Sequence, residues 1–241
     1  MVSPSNLVDL VVGLAWPAIA AFAIWSFRAP LTRLIDRLKS ASYDKGKIAL
    51  EMHEALDRSA EEAQLSPQRA QAPTSAEIAR AEMIAKAAPD PDAVRSAMEE
   101  LAEEYDAIRR FNLPGSSRTT KMEGVVAKMR TLAQAAFALR HRFAGSPQPG
   151  RRLAAVAMLG VVPDQDMVDW LGERVLVEKP FIAYHALVAL LAATRGADAE
   201  QRARIAKVAT ALSSAAGFGP ETDRGALLGR LVAETAAQGT P

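Results

Sequence analysis

Any chemistry in this chain must start from three histidines, His53, His141 and His185, and from a few clusters of acids and bases. The histidines lie far apart, and none has a partner His or Glu at ligand spacing. HExxH, GxSxG and GxxxxGK followed by Ser or Thr are all missing, so zincin, hydrolase-elbow and P-loop readings lack their signatures. There is no cysteine, which rules out disulfides, thiolate–zinc sites and Cys nucleophiles and suits a reducing compartment. His185 follows Tyr184 on an alanine-rich segment, the setting of a core or interface histidine rather than of a general base. Asp164, Asp166 and Asp169 form a DxDxxD pattern that could hold a hard cation. Asp164, however, is well placed as a helix N-cap, and the loop lacks the glycine and closing Glu of a calcium hand. Glu99, Glu100, Glu103 and Glu104 place two i,i+4 acid pairs on one helix, yet the Glu-x-x-His of a di-iron bundle is missing, so a solvated face is expected. The sequence predicts no catalytic residue, no cofactor and no metal.

Binding chemistry has better candidates. Arg109, Arg110, Arg118 and Lys121 flank an Asn-Leu-Pro-Gly-Ser-Ser turn, where Gly115, Ser116 and Ser117 could present backbone N–H groups at a helix start. A phosphate or an acidic tail could dock there. The plainer alternative is a set of helix-end charges on an ordinary turn. A second candidate is the corner Val177-Glu178-Lys179-Pro180-Phe181, with Trp170 a few residues away. Aromatic residues beside a charged turn suit an interface anchor, though both rings could simply fill the core. Trp170, Lys179, Phe181, Arg109, Arg110 and Arg118 are therefore the expected partner-binding residues.

The elements that position these groups are read from hydrophobic pattern. Residues 7–27 form one apolar run followed at once by Arg28. Twenty-one helical residues span roughly 31 Å, close to the thickness of a bilayer's hydrocarbon core. A cleaved signal peptide is disfavoured, because residues 1–6 carry no Lys or Arg and the run is too long. Trp25 and Phe27 stand where aromatic rings favour the interface, and Arg28, Arg33, Arg37, Lys39, Lys45 and Lys47 follow, opposed by Asp36 and Asp44. This pattern predicts a single-pass anchor in the inner membrane with a short N-terminus outside and the rest cytoplasmic. Trp25, Phe27, Arg28, Arg33 and Arg37 would be the membrane-contacting residues. Residues 28–64 read as basic juxtamembrane amphipathic helices, with Leu31, Leu34, Ile35 and Leu38 on one face that suits either the bilayer surface or, as the alternative, ordinary packing on protein.

Composition points to helices beyond the anchor: 49% of residues are hydrophobic but only 5% aromatic, so Ala, Leu and Val supply the apolar content. Net charge is +1, and beyond residue 47 no basic patch fits nucleic acid. Pro67 and Pro73 mark residues 65–75 as a linker. Residues 76–241 form an α-helical domain. Thr74 with Glu77 predicts a capping box for a helix to about residue 88, and Asp90-Pro91 opens a helix to about residue 111. One long helix is expected over 117–143, then helices near 151–161, 165–176, 180–195, 199–216 and 221–237.

Two segments match at an offset of 31, Ala155-Val156-x-x-Leu159 and Ala186-Leu187-x-x-Leu190. The stretch RRLAAVAMLGVVPDQDMVDWLGERVLVEKPFIAYHALVALLAAT resembles HEAT-type repeats, which implies helix pairs stacked over residues 150–237 and a surface that binds other proteins. WPAIAAFAIWSFRAPLTRLIDRLKSASYDKGKIALE is similar to an anchor-plus-juxtamembrane module of bacterial membrane proteins. EYDAIRRFNLPGSSRTTKMEGVV and EKPFIAYHAL resemble segments of adaptor-like proteins linked to bacterial conflict and signalling systems. The expected fold class is all-α: a transmembrane helix, then a cytoplasmic helical domain with HEAT-like pairs. The expected role is a non-enzymatic adaptor that recruits a protein partner to the bilayer. The alternatives are a self-associating structural membrane protein, and an enzyme whose dispersed site leaves no motif.

Overall fold

The computed structural model describes residues 47–63, 73–215 and 217–236. The apolar run at 7–27, its basic flank with Trp25, Phe27, Arg28, Arg33 and Arg37, and most of the 65–75 linker lie outside them. The chain divides between Ile48 and Ala49, and the architecture below is that of residues 49–241. Among the described residues every regular element is helical, and no helix is long and apolar enough to cross a membrane.

Ten α-helices are described: α1 (47–63), α2 (Ser75–Lys86), α3 (Pro91–Phe111), α4 (Ser116–Leu132), α5 (Arg140–Ala144), α6 (Pro149–Val161), α7 (Val168–Val177), α8 (Pro180–Ala193), α9 (Ala199–Ala215) and α10 (Asp223–Ala236). Local chemistry sets most of their starts. The Thr74 hydroxyl accepts the Glu77 N–H at 3.2 Å, while the Glu77 carboxylate accepts the Thr74 N–H at 2.7 Å, a complete capping box. The other Glu77 oxygen takes the buried Arg130 guanidinium at 3.4 Å and ties α2 to α4. Asp90 accepts the Asp92 N–H at 2.9 Å ahead of Pro91, opening α3.

Burial then arranges the helices. In α3, Val94, Met98, Leu101, Ala102 and Tyr105 are buried at helical spacing, one apolar stripe on an acidic helix. In α6 every residue from Leu153 to Val161 is buried, and in α8 so are Ile182, Ala183 and the whole run from His185 to Ala193. A helix apolar on all sides must be enclosed by other helices. These two are 13 and 14 residues long, which at about 1.5 Å per residue is well short of a bilayer core. Neighbours alternate along the chain. Helices α2, α4, α6, α8 and α10 pack each on the next, while α3 lies against α4 and α6, α7 against α8 and α9, and α9 against α10. The backbones of α3 and α6 come closest at Gly150, whose Cβ, if it had one, would lie 2.8 Å from the Ala102 carbonyl carbon. The Asp106 carboxylate accepts the Gly150 N–H there at 3.1 Å.

The single helix expected over 117–143 is interrupted. The segment 133–136 is a series of turns, followed by a 3-10 turn at Phe137–Leu139 and the short α5. No Pro or Gly marks the break; packing imposes it. Ala133 and Ala136 are small enough to be fully buried, and Arg140 is held over the Phe137 ring at 4.3 Å and bonded to Asp164 at 2.6 Å. Helical propensity in this alanine-rich stretch is a weak preference, and the Arg140 anchor with the docking of α5 on α6 overrides it.

Candidate functional site

The starts of α4, α8 and α10 meet at a groove of about 670 Å³. The last turn of α3 contributes Arg109. The first two turns of α4 contribute Arg118 and Glu123, with hydroxyls from Ser116, Thr119 and Thr120. Lys179, Phe181 and Tyr184 come from the opening of α8, and Thr222, Asp223 and Arg224 from that of α10.

Aromatic stacking fixes the floor. Phe181 stacks on the buried Tyr105 with ring centroids 5.8 Å apart and meets His185 edge-on at 4.7 Å. Tyr184 meets the other side of His185 at 5.6 Å. His185 is only 3% exposed, and its Nε2 lies 3.5 Å from the Glu123 carboxylate, an ion-pair distance without a formed hydrogen bond. Burial pushes the Glu123 carboxyl up, but the His185 imidazole and the Arg130 charge outweigh it and hold Glu123 below its ordinary range. Burial also pushes the Tyr105 hydroxyl up, against the hydrogen bond it receives from Arg109 at 3.4 Å.

What the groove gathers is several unpaired cations around one concavity. Elsewhere many guanidiniums find carboxylates, as Arg80 does with Glu62, Arg140 with Asp164, Arg204 with Asp169 at 2.5 Å, and both Arg152 and Arg174 with Glu178, while Arg110, Arg195 and Arg202 have none at ion-pair distance among the described residues. Among the described residues none of Arg109, Arg118, Lys179 or Arg224 has a carboxylate at ion-pair distance, and the Arg118 Nε is buried without a hydrogen-bond partner. Arg224 instead lies over the Phe218 ring at 4.2 Å. Two of the three helix starts, α4 behind Gly115 and α8 behind Lys179, have no side-chain cap, so their first N–H groups add partial positive charge. Four cations thus face the two carboxylates of Glu123 and Asp223 in one concavity. Chemically, the arrangement can hold an anionic group, with Phe181 and Tyr184 offering an apolar wall. Since His185 is sealed beneath those rings, its imidazole has no direct access to a ligand in the groove.

Of the residues singled out from sequence, Arg109, Arg118, Lys179 and Phe181 come together here although they lie up to 72 positions apart (109 to 181). Arg110 and Trp170 do not line the groove. Arg110 is exposed and lies over the Phe111 ring at 5.8 Å, while Trp170 is half-buried on α7 with Arg174 over its ring at 5.5 Å. Glu178, within the corner expected to be exposed, has a side chain only 5% exposed, pinned by Arg152 and Arg174. Asp164 caps the 3-10 turn Gln165–Met167 that leads into α7, accepting the Asp166 N–H at 3.0 Å. Glu99 is engaged by Arg142 and Arg151, and Glu104 by Lys128. Glu123, Tyr184 and the residues of α10 carried no motif that would have assigned them to a site. Only two places had a signal: the α3–α4 turn, a basic cluster at a helix start, and the Lys179–Phe181 corner, an aromatic ring beside a charged turn. No known protein family, curated protein or solved structure matches the chain.

Proposed function

We propose that this chain is a non-enzymatic helical adaptor, tied to the inner membrane by residues 7–27, that recruits a protein partner by accepting an acidic segment of it in the groove between α4, α8 and α10. The observation that carries the reading is the set of four cations, Arg109, Arg118, Lys179 and Arg224, without carboxylate partners around one concavity beside two uncapped helix starts. An unpaired cation costs little while hydrated. Four of them beside only the Glu123 and Asp223 carboxylates leave a net positive rim that a bound anionic group would neutralise, which supports a ligand role. The alternation of α2, α4, α6, α8 and α10 in one row, with α7 and α9 packed over it, supports stacked HEAT-like pairs, a fold type whose elongated surfaces suit protein recognition.

Affinity capture from gently solubilised membranes tests this. The full chain is compared with the same chain carrying Arg118→Glu and Lys179→Glu, two substitutions on half-buried or exposed positions. The expected result is a near-stoichiometric protein that co-purifies with the unmodified chain, is released by raised salt and is lost from the double variant. Equal recovery with both baits would place the contact elsewhere. No partner on either bait would defeat the adaptor reading.

A further inference from the structure

We infer that the turn between α3 and α4 is a contact site for an anionic bilayer surface, with Phe111 and Leu113 as the inserting side chains and Arg110 and Lys121 as the headgroup-facing charges. The inference is independent of the groove reading and of the anchor expected at residues 7–27, since it is carried by the turn itself. Leu113 is 89% exposed and Phe111 76%, the two most exposed large apolar side chains among the described residues, and only Asn112 separates them. Folding normally hides such groups, and here nothing lets them collapse. The Asn112 side-chain amide donates to the Ile108 carbonyl at 3.2 Å, its backbone N–H donates to the same oxygen, and its Oδ1 accepts from the Lys121 ammonium at 2.9 Å. Asn112 therefore braces the turn to both helices, and Pro114 stiffens it further. The apolar tip is held out from the protein.

Its charge identifies the occupant. Residues 107–122 contain Arg109, Arg110, Arg118 and Lys121 and no acid. Arg109 and Arg118 line the groove, leaving Arg110, which lies over the Phe111 ring, and Lys121 beside the tip. Two adjoining apolar side chains ringed by cations match a surface that is soft, apolar beneath and anionic on top. A protein interface of ordinary size would need roughly 800 Å² of complementary surface on each partner, far more than two protruding side chains present. Each cation held against an anionic leaflet strengthens binding about fivefold, so Arg110 and Lys121 together account for roughly 25-fold.

The chain has no cysteine, which allows a clean probe. Full-length chain with Leu113→Cys, labelled with an environment-sensitive fluorophore, is incubated with phosphatidylcholine vesicles containing or lacking phosphatidylglycerol, some doped with nitroxide lipids. Expected are a blue-shifted emission and nitroxide quenching of the label on the anionic vesicles, both weak on neutral ones even where the chain is captured, with the ratio of docked to undocked label reduced roughly 25-fold by Arg110→Gln with Lys121→Gln. The comparison label is Leu176→Cys, an exposed position on α7. An unquenched Leu113 label on anionic vesicles that have captured the chain would overturn the proposal and leave a protein as the turn's cover. Equal quenching at Leu176 would also overturn it, as general adsorption of the domain.

Discussion

Replacing Gly150 by Ala should destabilise the helical unit, although alanine is the better helix former. A Cβ at position 150 would stand 2.8 Å from the Ala102 carbonyl carbon and closer still to its oxygen. Both are backbone atoms, so no rotamer change relieves the clash. The nearest atom, the Ala102 carbonyl oxygen, would be 2.0 Å away, so reaching ordinary contact near 3.4 Å parts α3 and α6 by about 1.4 Å, which also stretches the 3.1 Å bond from the Gly150 N–H to Asp106. Overpacking of this kind costs about 1–3 kcal/mol, and loss of a hydrogen bond to a charged acceptor about 1.5–3 kcal/mol. Helix propensity returns at most about 1 kcal/mol. The net is a loss of roughly 2–4 kcal/mol, or some 5–15 °C in Tm for a unit of this size. Gly229, exposed on α10 with nothing near its absent Cβ, provides the matched control: Gly229→Ala should stabilise by up to about 1 kcal/mol. Thermal and urea unfolding of the two variants beside the parent decide the matter. If Gly150→Ala unfolds at or above the parent's Tm, the close approach of α3 and α6 is wrong.

Two further predictions concern stability. Burial pushes the Asp164 carboxyl up, yet the Arg140 hydrogen bond, the Asp166 N–H and the Arg140 charge together hold it below the ordinary range. A depressed folded pKa contributes stability above the unfolded value of about 3.9 and loses it as pH falls through the folded one. Urea midpoints followed from pH 6 downward should therefore fall less steeply below about pH 4 in Arg140→Gln than in the parent, and parallel curves would contradict the assignment. Ala88, just after α2, has φ +49°, a left-handed conformation that costs a residue with a Cβ about 1 kcal/mol, partly offset in a glycine variant by a freer unfolded chain. Ala88→Gly should accordingly raise the urea midpoint slightly, equivalent to about 0.5 kcal/mol, and a lowered midpoint would refute the strain.

Caps were the most legible part of the fold, because a cap is written within four residues: Thr74 with Glu77, and Asp90 with Pro91, act as their spacing predicts. The break at 133–136 was illegible, since its cause is the Arg140–Asp164 bond across 24 positions and nothing local competes with helix there. In the candidate site, Arg109 and Arg118 were visible as part of a basic cluster at a helix start, and Lys179 and Phe181 as a charged turn beside an aromatic ring. Arg224 and Thr222 were not, because their relevance comes only from α10 closing the groove. Glu178 shows the reverse case. Its setting in a charged turn read as surface, while tertiary ion pairs with Arg152 and Arg174 bury it.

The row of alternate helices has a consequence for how such a groove can change. Because α4, α8 and α10 open toward one rim while α6, between α4 and α8 in that row, gives the groove no side chain, the lining is set by the spacing of three helix starts rather than by one continuous face. A tilt of α10, at the end of that row, would therefore widen or narrow the groove while leaving the packing of α6 on α8 intact. Access to the groove can thus change without disturbing the two most buried helices of the unit.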